Sequence, residues 1–306
     1  MRAVVVGAVE SSRIAIEAIG RAQAWSLPLV VSLPLELGHR HSDYVDLEPA
    51  ATAAGARMLR ASNINAPEIC DALEALAPDY VFVIGWSQIC RERFMATGGK
   101  GMIGYHPAAL PRMRGRAVIP WTILSGDAIT GGTLFWIDDG VDTGPILEQR
   151  FLHIAPDETA ATLYSRHMAT LSDMMRTALA ALADGTARRE PQDERFATWA
   201  ARRTPESGRI DWTLPAEGVE RLVRASGRPY PGARTSLPAA GRELIVWQAR
   251  IAAGGDRHMA RPGQVIARSE EGFTVQCGAR TALLVSEWDN GEAGPLALHI
   301  QLGERR

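Results

Sequence analysis

Tyr80-Val-Phe-Val-Ile84 is a run of five apolar residues that begins directly after Pro78-Asp79. No polar residue alternates with it, so both faces of such a strand must be covered. That marks a central strand of a mostly parallel sheet, not an exposed hairpin. The preceding residues agree. Ala66 to Ala77 reads as a helix with Pro67 in its first turn, the position where proline is tolerated best. Upstream, Ala3-Val-Val-Val6 is a short β-rich run ending at Gly7, and helical spacing from Ser11 places Ile14, Ala15, Ala18 and Ile19 together. Leu27-Pro-Leu-Val-Val31 is a second apolar run, followed by the polar loop Gly38 to Tyr44. Gly101-Met-Ile-Gly-Tyr105 is a weaker strand leading into His106. Strand and helix in alternation predict an α/β, Rossmann-like domain whose sheet has helices on both faces.

Past residue 130 the pattern changes. Gly132 to Ile137 and Pro145 to Leu152 flank Asp138-Asp-Gly-Val-Asp-Thr-Gly144 and predict a hairpin-like pair. Asp157 is expected to cap a long helix with Leu163, Met168, Leu171, Met175, Ala178 and Leu182 on one stripe. Residues 185–207 are polar and rich in turn formers, which reads as a linker. Beyond a short helix at Pro215 to Arg224, four apolar runs broken by Gly and Pro start at Leu244, Gln264, Phe273 and Ala282. Such a series predicts a small C-terminal β-barrel of OB-like type. The expected organisation is a catalytic domain over 1–184, a linker over 185–207 and a barrel over 208–306.

Several function classes drop out on composition. A formal net charge of −2 gives no footprint for nucleic acid or an anionic membrane. Cys70, Cys90 and Cys277 have no paired spacing, so neither a disulfide scaffold nor a cysteine zinc site is expected, and a reducing cytoplasm fits best. The first residues lack the apolar core of a signal peptide, and no stretch of 18 uncharged apolar residues predicts a membrane span. His39 and His41 have no third ligand nearby in sequence, so no metal is expected.

The chemistry-bearing stretch is His106-Pro-Ala-Ala-Leu-Pro-Arg-Met-Arg-Gly-Arg116, followed by Gly126-Asp127, Thr130-Gly-Gly-Thr133 and Asp142-Thr-Gly144. A histidine at the end of a buried strand lies at the sheet's carboxyl edge, where open α/β sheets hold ligands. An imidazole beside a carboxylate forms an orienting pair suited to proton transfer. A histidine and an aspartate this far apart in sequence are more often structural or solvated than catalytic. Glu10 and Ser11 open a helix after the first strand, where backbone N–H groups can receive an anion, although a plain helix cap explains them too.

The whole run resembles the signature of the 10-formyltetrahydrofolate-dependent formyltransferases. His106, Pro107, Leu110, Pro111, Arg114, Gly115, Gly126, Thr130, Gly131, Thr133, Asp142 and Gly144 fit it in order. Arg202-Arg-Thr-Pro-Glu-Ser-Gly-Arg-Ile-Asp-Trp212 and Val223 to Ala233 resemble the C-terminal half of that family's two-domain members. The resemblance implies catalytic roles for His106 and Asp142, with 10-formyltetrahydrofolate as co-substrate. It places the pterin against Trp86, Ser87, Gln88 and Ile89 and against Asp138, Asp139, Gly140 and Val141, mostly through backbone groups. Glu10, Ser11 and Arg114 are the candidate acceptor-binding residues. The family's catalytic asparagine corresponds to Gly104, which has no side-chain donor for an oxyanion; Ser87, Gln88 or a bound water is the candidate replacement, and room for a bulkier acceptor is the competing reason for a glycine there.

The acceptor is expected to be a small-metabolite amine, with a nucleotide-linked amino sugar first and an N-hydroxyornithine-type precursor behind it. From Pro205 onward 13 arginines face 12 acidic residues, and the loop after the second strand offers only Arg40 between two histidines. That charge balance argues against initiator tRNA as acceptor. Hydrolysis of the folate, and a folate-binding module without turnover, are the remaining alternatives.

Overall fold

The computed structural model describes residues 1–237, 241–289 and 296–303. The chain divides into two compact units. The first is Met1–Val118, Ala128–Ile154 and Tyr164–Ala201; the second is Ile119–Asp127, Ala155–Leu163 and Arg202–Arg306.

The first unit is built on β1 (Arg2–Val6), α1 (Glu10–Arg21), β2 (Ser26–Ser32), α2 (Glu48–Ala53), β3 (Arg57–Arg60), α3 (Pro67–Leu76), β4 (Tyr80–Val83), α4 (Glu92–Met95) and β5 (Gly101–His106). A short β6 (Arg114–Gly115) precedes the hairpin β7 (Ile129–Trp136) and β8 (Ile146–His153), whereas α5 (Val118–Ser125) falls in the second unit from its second residue on. The long α6 (Ala160–Asp184) follows, then β9 (Trp199–Ala200). The seven-stranded sheet runs β3-β2-β1-β4-β5-β7-β8, parallel as far as β5 and antiparallel for the last two strands.

The continuous apolar runs are explained by burial on two faces. Ala3, Val5 and Phe82 share a core with Ala15, Ile16 and Ile19 of α1 and with Leu171, Met175 and Leu182 of α6. Val4, Val6, Val81 and Val83 pack on the other face with Ile69, Cys70 and Leu73 of α3 and Phe94 of α4. Strand β3 is Arg-Met-Leu-Arg on the sheet edge, half-exposed, which is why no apolar run announces it. Asp157 precedes α6 by three residues and is not its cap; Thr159, the residue directly before the helix, accepts the Thr162 N–H on its hydroxyl at 3.1 Å.

The chain order reverses between β1 and β4, so their carboxyl ends form the switch point where such sheets open a crevice. The two ends are tied together: Ser12 donates its hydroxyl to the Ile84 carbonyl at 2.6 Å and accepts from the Val9 N–H at 3.2 Å.

The second unit holds α7 (Ala216–Ser226) and an antiparallel sheet of β10 (Ala233–Leu237), β11 (Arg242–Ala252), β12 (Val265–Ser269), β13 (Gly272–Gln276) and β14 (Ala282–Asp289). The strand order is β10-β11-β14-β13-β12, and every strand contributes to one core with Val219 and Val223 of α7. The small C-terminal β domain expected as an OB-like barrel is present as a five-stranded antiparallel sheet; among the described residues its two outer strands do not pair with one another. The stretch read as a linker is part of the first unit as far as Ala201, where β9 pairs with β6. No helix among the described residues is long and apolar enough to cross a membrane.

One buried group sets a pH limit on the first unit. His167 on α6 is fully buried, its Nδ1 lies 3.2 Å from the Tyr105 hydroxyl, and its Nε2 has no hydrogen-bond partner among the described residues. Burial, reinforced by the nearby His106, pushes its pKa down to about 3 from 6.5. A proton therefore binds the unfolded chain more tightly, and stability is full above pH 6.5 and declines as pH falls toward 3. At about 1.4 kcal/mol per pH unit, His167 should remove roughly 2 kcal/mol between pH 6.5 and pH 5. Urea unfolding at the two pH values checks this. His167→Leu should flatten the dependence by that amount.

Candidate active site

Strand β5 ends on His106, which is only 5% exposed. Its Nδ1 lies 3.5 Å from Asp142 Oδ2, an ion-pair distance, and its Nε2 lies 2.7 Å from the Met113 carbonyl oxygen. Asp142 Oδ2 also accepts the Gly115 N–H at 2.8 Å. Two residues that sequence separates widely are thus brought together, as the paired-residue reading requires. A neutral imidazole has one N–H to offer to two oxygen neighbours, whereas a doubly protonated ring has one for each. With Nε2 donating to the Met113 carbonyl, the neutral ring leaves its Nδ1 lone pair beside Asp142, where imidazole and carboxylate can share a proton between them.

The backbone here is held in conformations that side chains usually avoid. Asp142, Met113 and Ala117 have φ of 55°, 59° and 55°. Left-handed backbone costs about 1–2 kcal/mol per ordinary residue, less for Asp. Such outliers persist where surrounding contacts over-determine them, and they gather at functional sites. Gly144 permits the loop's close approach, because a Cβ there would stand 1.7 Å from the Trp136 carbonyl oxygen. Backbone cannot yield as a side chain can, so Gly144→Ala should cost about 1–3 kcal/mol of stability. Thermal unfolding beside an activity assay measures this, and unchanged behaviour in both would contradict the packing described.

The loops at the sheet's carboxyl edge also expose apolar side chains. Ile89, on the loop after β4, is 67% exposed, and Val141, next to Asp142, is 50% exposed. Ser87 and Asp139 are exposed and Trp86 is half-buried, while Asp138 accepts the Gly140 N–H and the Thr143 hydroxyl in a local turn.

Three expectations about side chains need correction. Gln88 is not free to serve an oxyanion: its amide nitrogen donates to the Ser62 carbonyl at 2.6 Å and its oxygen accepts from the Ile64 N–H and Trp86. Arg114 is not an open anion clamp, because it is 1% exposed and its guanidinium is consumed by Gln192 and Glu194. The side chains of Glu10 and Ser11 are not open to an anion either; Glu10 is ion-paired with Arg13, its carboxylate already sits at the start of α1, and Ser11 is 5% exposed.

Gly104 sits two residues before His106 in β5, paired with Phe135 of β7. A Cβ there would fall 2.7 Å from Phe135 Cζ, so the ring of Phe135, itself 6% exposed, fills the volume a larger residue would need. The glycine therefore does not open room for a bulkier acceptor. Phe135, Gln192 and Thr198 were not legible as site residues. Among the described residues no group of three His, Cys, Asp or Glu is placed to hold a metal.

A model of the formyl transferase family matches residues 15–179, and one of the formyl transferase C-terminal domain matches 202–296. The chain belongs to the formyl transferase family. This formyltransferase is 36% identical over 264 residues to a methionyl-tRNA formyltransferase of Anaeromyxobacter sp. (strain K), covering 85% of this chain and 84% of that one. It is 34% identical over 242 residues to that of Myxococcus xanthus (strain DK1622), with 79% and 75% covered. Among solved structures, the formyltransferase shares its fold with an N-formyltransferase from Helicobacter canadensis in complex with folinic acid and dTDP-3-aminofucose. That match has a TM-score of 0.67 at 15% identity, over 93% of this chain and 98% of that one. HypX from Aquifex aeolicus in complex with tetrahydrofolic acid gives a TM-score of 0.66 at 19% identity. There 95% of this formyltransferase is covered, but it spans only 44% of the HypX chain.

Proposed function

We propose that this formyltransferase moves a formyl group from 10-formyltetrahydrofolate to the amine of a small metabolite, with His106 and Asp142 handling the protons. The observation that carries the reading is the His106–Asp142 pair at the carboxyl edge of β5, with Ile89 and Val141 exposed on the neighbouring loops. Exposed apolar side chains on two loops suit a flat pterin, and the family's structures with folates support that co-substrate. An attacking amine must lose a proton as the folate nitrogen gains one. His106 takes the first at a ring nitrogen, and the Asp142 carboxylate holds the ring in place and balances the charge it acquires. Three buried free thiols are in keeping with a cytoplasmic enzyme.

Charge supports a small acceptor, with a nucleotide-linked amino sugar first. Arg93, Arg150, Arg188, Arg209 and Arg250 are each engaged by carboxylates, which reduces what these five offer to phosphates. The loop after β2 folds back on its own unit: Tyr44 bridges to Val9, and Tyr164 donates to Asp43. Formylation of methionyl-tRNA is the second reading, favoured by the 34–36% identical relatives. Binding of initiator tRNA near physiological salt separates the two. The small-acceptor reading expects affinity no tighter than about 1 μM, the non-specific range; a far tighter, salt-sensitive complex that becomes formylated would replace it.

A further inference from the structure

We propose that residues 190–201, which cross the site loop, are a positioning strap that sets both partners of His106, with Gln192 and Thr198 as its positioning residues. The inference rests on the reading of His106 and Asp142 as the proton-handling pair. Gln192 does two things at once. Its amide nitrogen donates to the carbonyls of Asp142 at 2.9 Å and Gly144 at 2.7 Å, closing a clamp on the loop that bears the carboxylate. Its amide oxygen accepts two N–H groups of the buried Arg114, at 2.7 Å and 3.2 Å. Arg114 is fixed from its other edge by Glu194, at 2.6 Å and 2.9 Å. The left-handed Asp142 is therefore held by Gln192 through its own carbonyl and by the Gly115 N–H through its carboxylate.

The same segment fixes the other acceptor. Thr198 Oγ1 accepts the Met113 N–H at 2.9 Å, and the Thr198 carbonyl accepts the Arg114 N–H at 2.9 Å. Ala200 accepts from the Arg116 N–H at 3.0 Å, and Thr198 N–H donates to Pro111 at 3.2 Å. These bonds hold Met113, whose carbonyl faces His106 Nε2, in its left-handed conformation. One stretch of chain thus determines where both oxygen neighbours of the imidazole stand. A displacement near 1 Å of either is enough to cost about 100-fold in rate.

The alternative is that Gln192 only gives the buried Arg114 an acceptor. Gln192→Glu separates the two roles, because a glutamate keeps an acceptor for Arg114 and loses both donors to the Asp142 loop. The positioning role predicts that kcat falls about 100-fold while the KM for folate and acceptor stays within about threefold. Thr198→Val, which removes the Met113 acceptor without touching Arg114's side-chain partners, should lower kcat in the same way. A second readout needs no turnover. The ring resonances of His106 in the folded protein, assigned with His106→Asn, should move in Gln192→Glu in the direction they move in Asp142→Asn. Parental kcat together with unmoved ring resonances in Gln192→Glu overturns the strap. Retained activity in His106→Ala would instead defeat the proton-handling reading, and the ring resonances would still decide whether Gln192 positions Asp142.

Discussion

His106→Ala is expected to lower kcat by about 10²–10⁴-fold, the range general acid–base groups supply, in a protein that folds and binds folate normally. Asp142→Asn should do nearly the same, and its backbone makes it a clean test. Asparagine tolerates the left-handed conformation that Asp142 adopts at φ 55°, so the substitution removes charge and leaves the loop in place. The two side chains face one another at 3.5 Å and act on one proton, so the double variant should be little worse than either single one. Losses that multiplied would mean two independent contributions and no pair. Steady-state kinetics on the four proteins, with folate affinity measured separately, gives the answer.

Gly104→Asn is expected to destabilise the enzyme by about 1–3 kcal/mol and to bring no gain in rate. An amide side chain in that position must displace the Phe135 ring, which stands 2.7 Å from where its Cβ would be. Restoring a donor to the oxyanion therefore requires the cross-strand partner to shrink as well. In Phe135→Ala the added asparagine should cost less, with a coupling of about 1–2 kcal/mol between the two positions. If a donor is what the site lacks, kcat should rise in the double variant relative to Phe135→Ala alone. Purely additive stability effects would show that Phe135 does not occupy the volume in question.

Much of the architecture was legible because burial leaves a mark on residue type. Tyr80 to Ile84 reads as a two-faced strand and is one, with Phe82 on one core and Val81 and Val83 on the other. The edge strand Arg57–Arg60 was not legible, since half-exposed residues are under no such constraint. At the site, His106 and Asp142 stood out by chemistry and order, and the fold brings them together. The roles of Gln88, Arg114 and Gln192 did not stand out. Gln88 and Gln192 work through backbone carbonyls far away in sequence, and a carbonyl carries no residue identity. Arg114 looked like an anion-binding arginine because nothing in its neighbours reveals that Glu194 and Gln192 neutralise and bury it. Gly104 was recognisable as a departure from the family's pattern, but only the antiparallel pairing of β5 with β7 identifies Phe135 as its complement.

The most direct test of the central claim is the rate at which the parent and His106→Ala form tetrahydrofolate from 10-formyltetrahydrofolate, with and without a nucleotide-linked amino sugar. Formyl transfer to a small amine by the His106–Asp142 pair predicts release that depends on the amine and matches formylated product one for one. It also predicts that release is lost in His106→Ala while folate still binds. Release that ignores the amine, that appears only with methionyl-tRNA, or that survives loss of His106 would contradict it.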